Sequence, residues 1–532
     1  MKKYLTHIVC VIILALISVT YFYPVISGKS IQQSDISQFM GMSKQIVDHR
    51  EEFNEEPYWL DNAFLGMPSY QVSAKYPYDV LHYIDQTIRF LPRPADYLFL
   101  YLLSFYFLII SLNINFRYAL FGSIAFGFST YLIIILGVGH NTKALALGYL
   151  PLIVAGFLMV LKGNYLKGFL ISTLFLGLQV HANHYQMTYY TLIMLSVVVL
   201  VHYYNFIKLK DLKKIYKSFF VFISVGLLAL LMNSPSLLAT KEYSEFSTRS
   251  KNEITINPDG SAKESLSGLD KEYITEYSYG ILESFNLIFP RFMGGGSSER
   301  IREDSKLMDF IRTLDPSQAQ QVYQYSKVYW GNQPIVAAPA YIGISIFFIF
   351  LISLLLVNDL NRKWILIAVV ISLLLSWGKN FSFLTDLMIN YFPLYDKFRA
   401  VSSIQVIVEF CIPLFAVIGL KNFLSSNIDD IHKLNSLKYV SLFLIPLILI
   451  FYFFGTSLFD FKSDFEIFSQ YPEILKLIIE ERQYVFESDV LRSLIIVICC
   501  STTFYLFIKK LIRKDLTIFI ISAILIFDLW SV

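Results

Sequence analysis

Runs of roughly 14 to 23 apolar residues recur along this chain, and a run of that length crosses a bilayer as a helix. They cover Tyr4–Ile26, Tyr97–Leu112, Tyr118–Val138, Ala144–Leu161, Gly168–Val180, Met187–Tyr204, Ser218–Met232, Ile335–Val357, Trp364–Trp377, Ser403–Leu420, Tyr439–Gly455, Leu491–Ile508 and Leu516–Trp530. The length rule gives about thirteen spans, the Gly168, Ser218 and Trp364 runs being the weakest. With 55% hydrophobic and only 16% charged residues, the chain is too apolar for a soluble fold. The expectation is an all-α polytopic membrane protein, residues 1–532 forming one integral membrane domain.

Lysine and arginine orient it. With the N-terminus in the cytoplasm, the inner loops are Asn113–Arg117, Lys162–Lys167, Asn205–Lys217, Asn358–Lys363, Lys421–Lys438 and Lys509–Asp515. Lys or Arg is about one residue in three there and about one in ten opposite, as the positive-inside rule requires. Met1-Lys2-Lys3 and the first run resemble a signal peptide, but Tyr21-Phe22-Tyr23-Pro24 is no small-residue cleavage site, so the run is read as an uncleaved anchor. A multi-pass membrane protein with its N-terminus in the cytoplasm is expected.

This topology restricts function. The inner loops are shorter than the roughly 30 residues of a nucleotide-binding βαβ unit. A net charge of +3 without a basic, aromatic-interleaved run argues against nucleic acid. Cys10, Cys411, Cys499 and Cys500 all fall in apolar runs, where they read as small packing residues. The sizeable polar segments, 27–96, 233–334, 378–402 and 456–490, lie outside, where nucleotide donors are normally absent. An enzyme on that face has to take its activated group from a lipid, such as a sugar on polyprenyl phosphate.

The first outer loop, 27–96, carries Asp35, Asp48, Glu51, Glu52, Glu55, Glu56 and Asp61. Two tight outer turns hold three of the eight histidines: Gly139-His140-Asn141-Thr142-Lys143 and His181-Ala182-Asn183-His184-Tyr185-Gln186. Interfacial hydrogen bonding explains one such histidine better than function does and the two turns together only as well, and His181 with His184 has zinc-like spacing without a matching carboxylate. Arg399, after Tyr395-Asp396-Lys397-Phe398, suits a phosphate oxygen pair or simple snorkelling. Glu409 lies in an apolar run, where it must face the protein interior, paired structurally or acting on substrate. Pro290 to Ser298 contains three consecutive glycines, which cradle phosphate less often than they make a flexible link. The charged stretch Lys241–Lys271 reads as solvated surface, and Trp330 as an interfacial anchor that could also stack on a sugar ring.

The strings Trp59 to Tyr70, Tyr329 to Pro334, Ser376-Trp377-Gly378-Lys379-Asn380 and Pro393 to Arg399 resemble the bacterial YfhO-type membrane protein family in its Bacteroidetes form, over nearly the whole chain. That family is similar to the GT-C glycosyltransferases, so the resemblance implies a GT-C-like bundle and a membrane glycosyltransferase that moves sugar from a polyprenyl-phosphate donor to a cell-envelope acceptor. It implies a catalytic acid in the first outer loop, a position matched by Asp35, with Asp61 as the alternative. The displacement is inverting by the same analogy. Donor phosphate would be met by Lys143, Arg399, His140 and His184, and substrate by Gln38, Gln186, Trp330, Tyr395 and Glu409. No metal ligands are assigned; Asp48 with Glu52 is a pair able to help hold a divalent cation, magnesium or manganese. Family members commonly continue into further spans and an outer domain, which is expected to be absent or truncated here, the sequence ending at Val532. Two alternatives stay open: a transporter or flippase of lipid-linked sugars, which should show internal repeats and broken helices, and a noncatalytic envelope-assembly protein.

Overall fold

The computed structural model describes residues 2–247, 249–250, 256, 259–261 and 268–532, so much of the charged stretch Lys241–Lys271 lies outside the described residues. The protein is mostly helical. Its principal helices are α1 (Lys2–Tyr21), α2 (Ser34–Phe53), α3 (Val80–Ile88), α4 (Ala95–Ser111), α5 (Phe116–Gly127), α6 (Thr130–Val138), α7 (Asn141–Leu161), α8 (Tyr165–His181), α9 (Tyr185–Lys208) and α10 (Leu212–Met232). They continue as α11 (Ile344–Leu356), α12 (Leu360–Ser376), α13 (Ser382–Tyr391), α14 (Val406–Phe423), α15 (Asp430–Leu458), α16 (Pro472–Ile508) and α17 (Lys514–Trp530). Among the described residues, seven helices are long and apolar enough to cross a membrane, or nine if each of two bent pairs is one span. The protein is therefore a multi-pass, membrane-embedded one.

The difference from thirteen has a physical cause. Helices α4, α8 and α17 have 17 residues each, about 25 Å at 1.5 Å per residue, against a hydrocarbon core of about 30 Å. Helix α11 has 13 residues. The bent pairs are α5 with α6, turning by 52°, and α12 with the segment Gly378–Tyr391, turning by 110°. Breaks of this kind were not expected from hydropathy.

The chain divides into two compact units. The first comprises Met1–Phe116, Ile135–Ile274 and Leu387–Arg399; the second comprises Arg117–Ile134, Thr275–Asp386 and Ala400–Val532. In the first, α7 is the central helix, 83% of its apolar window being buried, whereas α1 and α10 bury only 17% of theirs and leave apolar side chains for lipid. Helices α7 and α8 cross at small residues. A Cβ at Gly156 would lie 2.3 Å from the Ser172 hydroxyl, and one at Gly168 would lie 2.7 Å from the Gly156 carbonyl. Without a hydrophobic drive between helices in lipid, such close backbone approach supplies the attraction.

The second unit surrounds α14, whose apolar window, counted from Val401, is 94% buried. Trp330 belongs to its interior, not to an interface. It is 8% exposed and its ring lies 4.9 Å from Phe461 and 6.4 Å from Phe459, because the segment before α11 folds inward and covers itself with aromatics. The glycine run is likewise occupied internally: the Gly296 amide donates to Glu299 at 3.0 Å. Cys10, Cys411 and Cys500 are buried and Cys499 is exposed, and none of the four is in a disulfide.

Candidate functional site

The site in the first unit begins at a turn. Gly139 has φ +89°, and a Cβ there would come within 3.1 Å of Gln33 and Ile36, so glycine lets this turn pack on the start of α2. Gln33 reinforces the contact by donating its side-chain amide to the Leu136 carbonyl. The consequence is a pair: His140 Nδ1 lies 2.7 Å from Asp35 Oδ2, each side chain nearly half exposed.

Asp35 stands in the first turn of α2, His140 is the N-cap of α7, and His184 is the N-cap of α9. His184 is near enough to Lys143 and His140 for their charges to depress its pKa. Three helix N-termini therefore meet at one end of the unit, each contributing a partial positive charge. Lys143 occupies the first turn of α7, where a cation opposes the helix dipole.

Burial and then Lys143 push His140 below its ordinary value, against the Asp35 carboxylate that raises it; Arg399 also lowers it. His184 is pushed down to about 3, by burial first and then by Lys143 and His140. Both rings are thus neutral near pH 7 and have hydrogen bonds, not charge, to offer a phosphate. His140 Nδ1–H donated to Asp35 leaves Nε2 as an acceptor. The Nδ1 of His184 is buried without a hydrogen-bond partner.

Charge at the site comes from Lys143 and Arg399, and also from Arg249, the one of the three that sequence reading did not single out. Arg399 donates to the Tyr273 hydroxyl at 2.6 Å. Arg249 donates to the Lys397 carbonyl and is near enough to Arg399 for the two cations to repel. Gln186 is a positioning residue here: its amide donates to the Arg399 carbonyl at 2.6 Å and to the Tyr190 hydroxyl at 2.8 Å. Tyr189 donates to the Pro393 carbonyl at 3.0 Å and its ring lies 5.4 Å from Phe398. Tyr395 is 3% exposed and packs near Tyr189. These contacts tie 393–399 to α9; only an aromatic-flanked Arg in the sequence hinted at them.

Other expected residues lie elsewhere. Asp61 pairs with Gln45, accepting at 3.4 Å while its amide donates to the Gln45 carbonyl oxygen at 2.9 Å. Gln45 is ten residues beyond Asp35 on α2, about 15 Å along the helix. Asp48 and Glu52 line a cleft of about 430 Å³ with Gln45 and Asn62, and Asp48 is bridged by Lys44 at 2.7 Å. Among the described residues no group of three or more His, Cys, Asp or Glu could hold a metal ion. Gln38 is exposed one turn after Asp35. His181 turns to Asp79 at 2.8 Å, the N-cap of α3, which leaves His184 without it. Glu409 is fully buried in the second unit.

No protein-family model, no curated protein and no solved structure matches the chain.

Proposed function

We propose that the protein is a GT-C-like membrane glycosyltransferase of the YfhO type that moves a sugar from a polyprenyl phosphate to a cell-envelope acceptor at the outer face of the bacterial cytoplasmic membrane. The proposed topology has thirteen spans, with the four shorter helices crossing beside longer neighbours and the N-terminus inside. The observation that carries this reading is the Asp35–His140 pair, 2.7 Å apart, beside Lys143 and Arg399, whose charges both act on the same imidazole. A base and an anion site at the ends of membrane helices are what transfer from a lipid phosphate requires.

In the proposed step the acceptor hydroxyl oxygen attacks the anomeric carbon and its proton passes to Asp35. The bond from that carbon to the phosphate oxygen breaks, and its electron pair leaves with the polyprenyl phosphate. Lys143, Arg399, Arg249 and the three helix N-termini stabilise the departing charge. His140 is a positioning residue that holds the carboxylate.

The test is purified protein in lipid with a polyprenyl-phosphate sugar, the anomeric configuration of the product being read by NMR. Asp35→Asn should lower turnover by about 100-fold or more, and His140→Asn should lower it less and shift the acid limb of the pH profile. No donor consumption by well-folded wild-type protein would refute the reading.

One observation favours a second reading, a flippase of lipid-linked sugars: the two bent helix pairs resemble the discontinuous helices of transporters. Translocation of a lipid-linked sugar across sealed vesicles, unaffected by Asp35→Asn, would select it.

A further inference from the structure

Among the described residues of the second unit, two glutamates are 0% exposed, and their surroundings are opposite. Glu283 is saturated with donors: the Tyr329 hydroxyl at 2.6 Å, the Gln333 amide at 2.8 Å, and the backbone N–H groups of Gly280 at 3.0 Å and Asn332 at 3.3 Å. Glu409 is also 0% exposed, yet neither carboxylate oxygen has a hydrogen-bond partner.

The groups around Glu409 are oxygens. Gln405, one turn earlier, is 2% exposed and its Oε1 is unpartnered. Ser129 is fully buried and its hydroxyl interacts with the Glu409 carboxyl, though outside good hydrogen-bonding geometry. The Tyr279 hydroxyl lies against Gln405 and within the field of Glu409, Glu283 and Tyr131. Among the described residues, no lysine, arginine or histidine acts on Glu409. An isolated buried carboxylate costs several kcal/mol and does not persist without a proton or a cation.

The backbone is broken at the same place. Ser129 stands at the joint between α5 and α6, which turn by 52°, and the joint is held to the segment before α11 because the Thr130 hydroxyl donates to the Pro339 carbonyl at 2.6 Å. Phe126 packs edge-on against Phe410 at 6.0 Å. Pro413 lies inside α14 and has no N–H to offer the carbonyl of Glu409, four residues earlier. Helix breaks that free oxygen atoms beside one carboxylate are how membrane proteins hold small cations.

We infer that Glu409, Gln405 and Ser129, at the break between α5 and α6, form a binding site for an alkali-metal cation. One uncompensated carboxylate matches one positive charge; a divalent ion would need a second, and Glu283 is already committed to four donors. Oxygen ligands without thiol or imidazole suit a hard cation. The site does not depend on the glycosyltransferase reading.

The test uses the full chain in detergent or nanodiscs, heated in sodium, potassium or choline chloride at equal ionic strength, with uptake of radioactive sodium measured alongside. The wild type should be stabilised saturably by an alkali cation and not by choline. Glu409→Gln, which keeps the shape and removes the charge, should abolish that stabilisation and the uptake. Ser129→Ala, which alters one ligand only, should move the half-saturating concentration upward by about tenfold; it decides the matter if Glu409→Gln does not fold. Identical unfolding in all three salts overturns the proposal in favour of a protonated carboxyl, and so does cation stabilisation that survives Glu409→Gln or is unmoved by Ser129→Ala.

Discussion

Acidification should destabilise this protein through His184, and the size of the effect follows from its surroundings. The ring is held neutral, at about 3 in the fold against 6.5 ordinarily, chiefly by burial and then by Lys143 and His140. The unfolded chain therefore binds the proton first, so stability is complete above the unfolded value and falls as pH drops below it. The loss at pH 5 is about 2 kcal/mol, growing to about 5 kcal/mol below pH 3. Thermal unfolding of detergent-solubilised wild type and His184→Asn between pH 7.5 and pH 5 checks it. The variant carries no titrating ring and should lose less, its melting temperature falling by on the order of a few degrees less than that of the wild type. Parallel losses in the two proteins would refute the buried, unpartnered Nδ1 as the cause.

Asp61→Asn should leave turnover within about twofold of wild type, measured by donor consumption, because Gln45 holds that carboxylate about 15 Å along α2 from Asp35. Lys143→Gln should raise the His140 pKa and Asp35→Asn should lower it, since the first removes a depressing charge and the second a raising one; NMR titration of labelled histidine reads both. Gly168→Val should cost several kcal/mol, because even a Cβ there would lie 2.6 Å from Val160 and 2.7 Å from the Gly156 carbonyl. The yield of monodisperse protein after chromatography measures it.

Hydropathy made the helical membrane character legible, because lipid demands apolar side chains over a whole span, and that demand is local. It did not tell that α4, α8, α11 and α17 are shorter than the length rule asks, since apolarity fixes where a helix forms and not how far it reaches. The breaks at Ser129 and at Trp377–Gly378 left no trace in composition; they depend on how Tyr341 and Ser278 pack against them. The site was legible where a residue was chemically out of place, as with two histidine-bearing turns. It was illegible where the partner lay far along the chain: Arg249 with Lys397 and Tyr273 with Arg399 are joined only by folding. Trp330 shows the converse error, for an aromatic next to an apolar run reads as an anchor whether it turns outward or, as here, inward onto Phe461.

On the proposed reading, the charge inventory of the site favours departure of the phosphate over binding of the donor. With both imidazoles neutral, Lys143, Arg399 and Arg249 against Asp35 leave an excess of two positive charges. The donor is a phosphodiester bearing one negative charge, and rupture of its sugar–phosphate bond leaves a phosphate bearing two. The anion gains charge along the reaction, so these cations bind it more strongly as the bond breaks, which accelerates the step instead of merely tightening the complex. Asp35 contributes in the same direction, since taking the acceptor proton removes the one local negative charge as the second appears on the phosphate. Arg249→Gln should therefore lower turnover more than it raises the Michaelis constant for the donor. An effect confined to the Michaelis constant would mean that Arg249 holds donor and transition state alike.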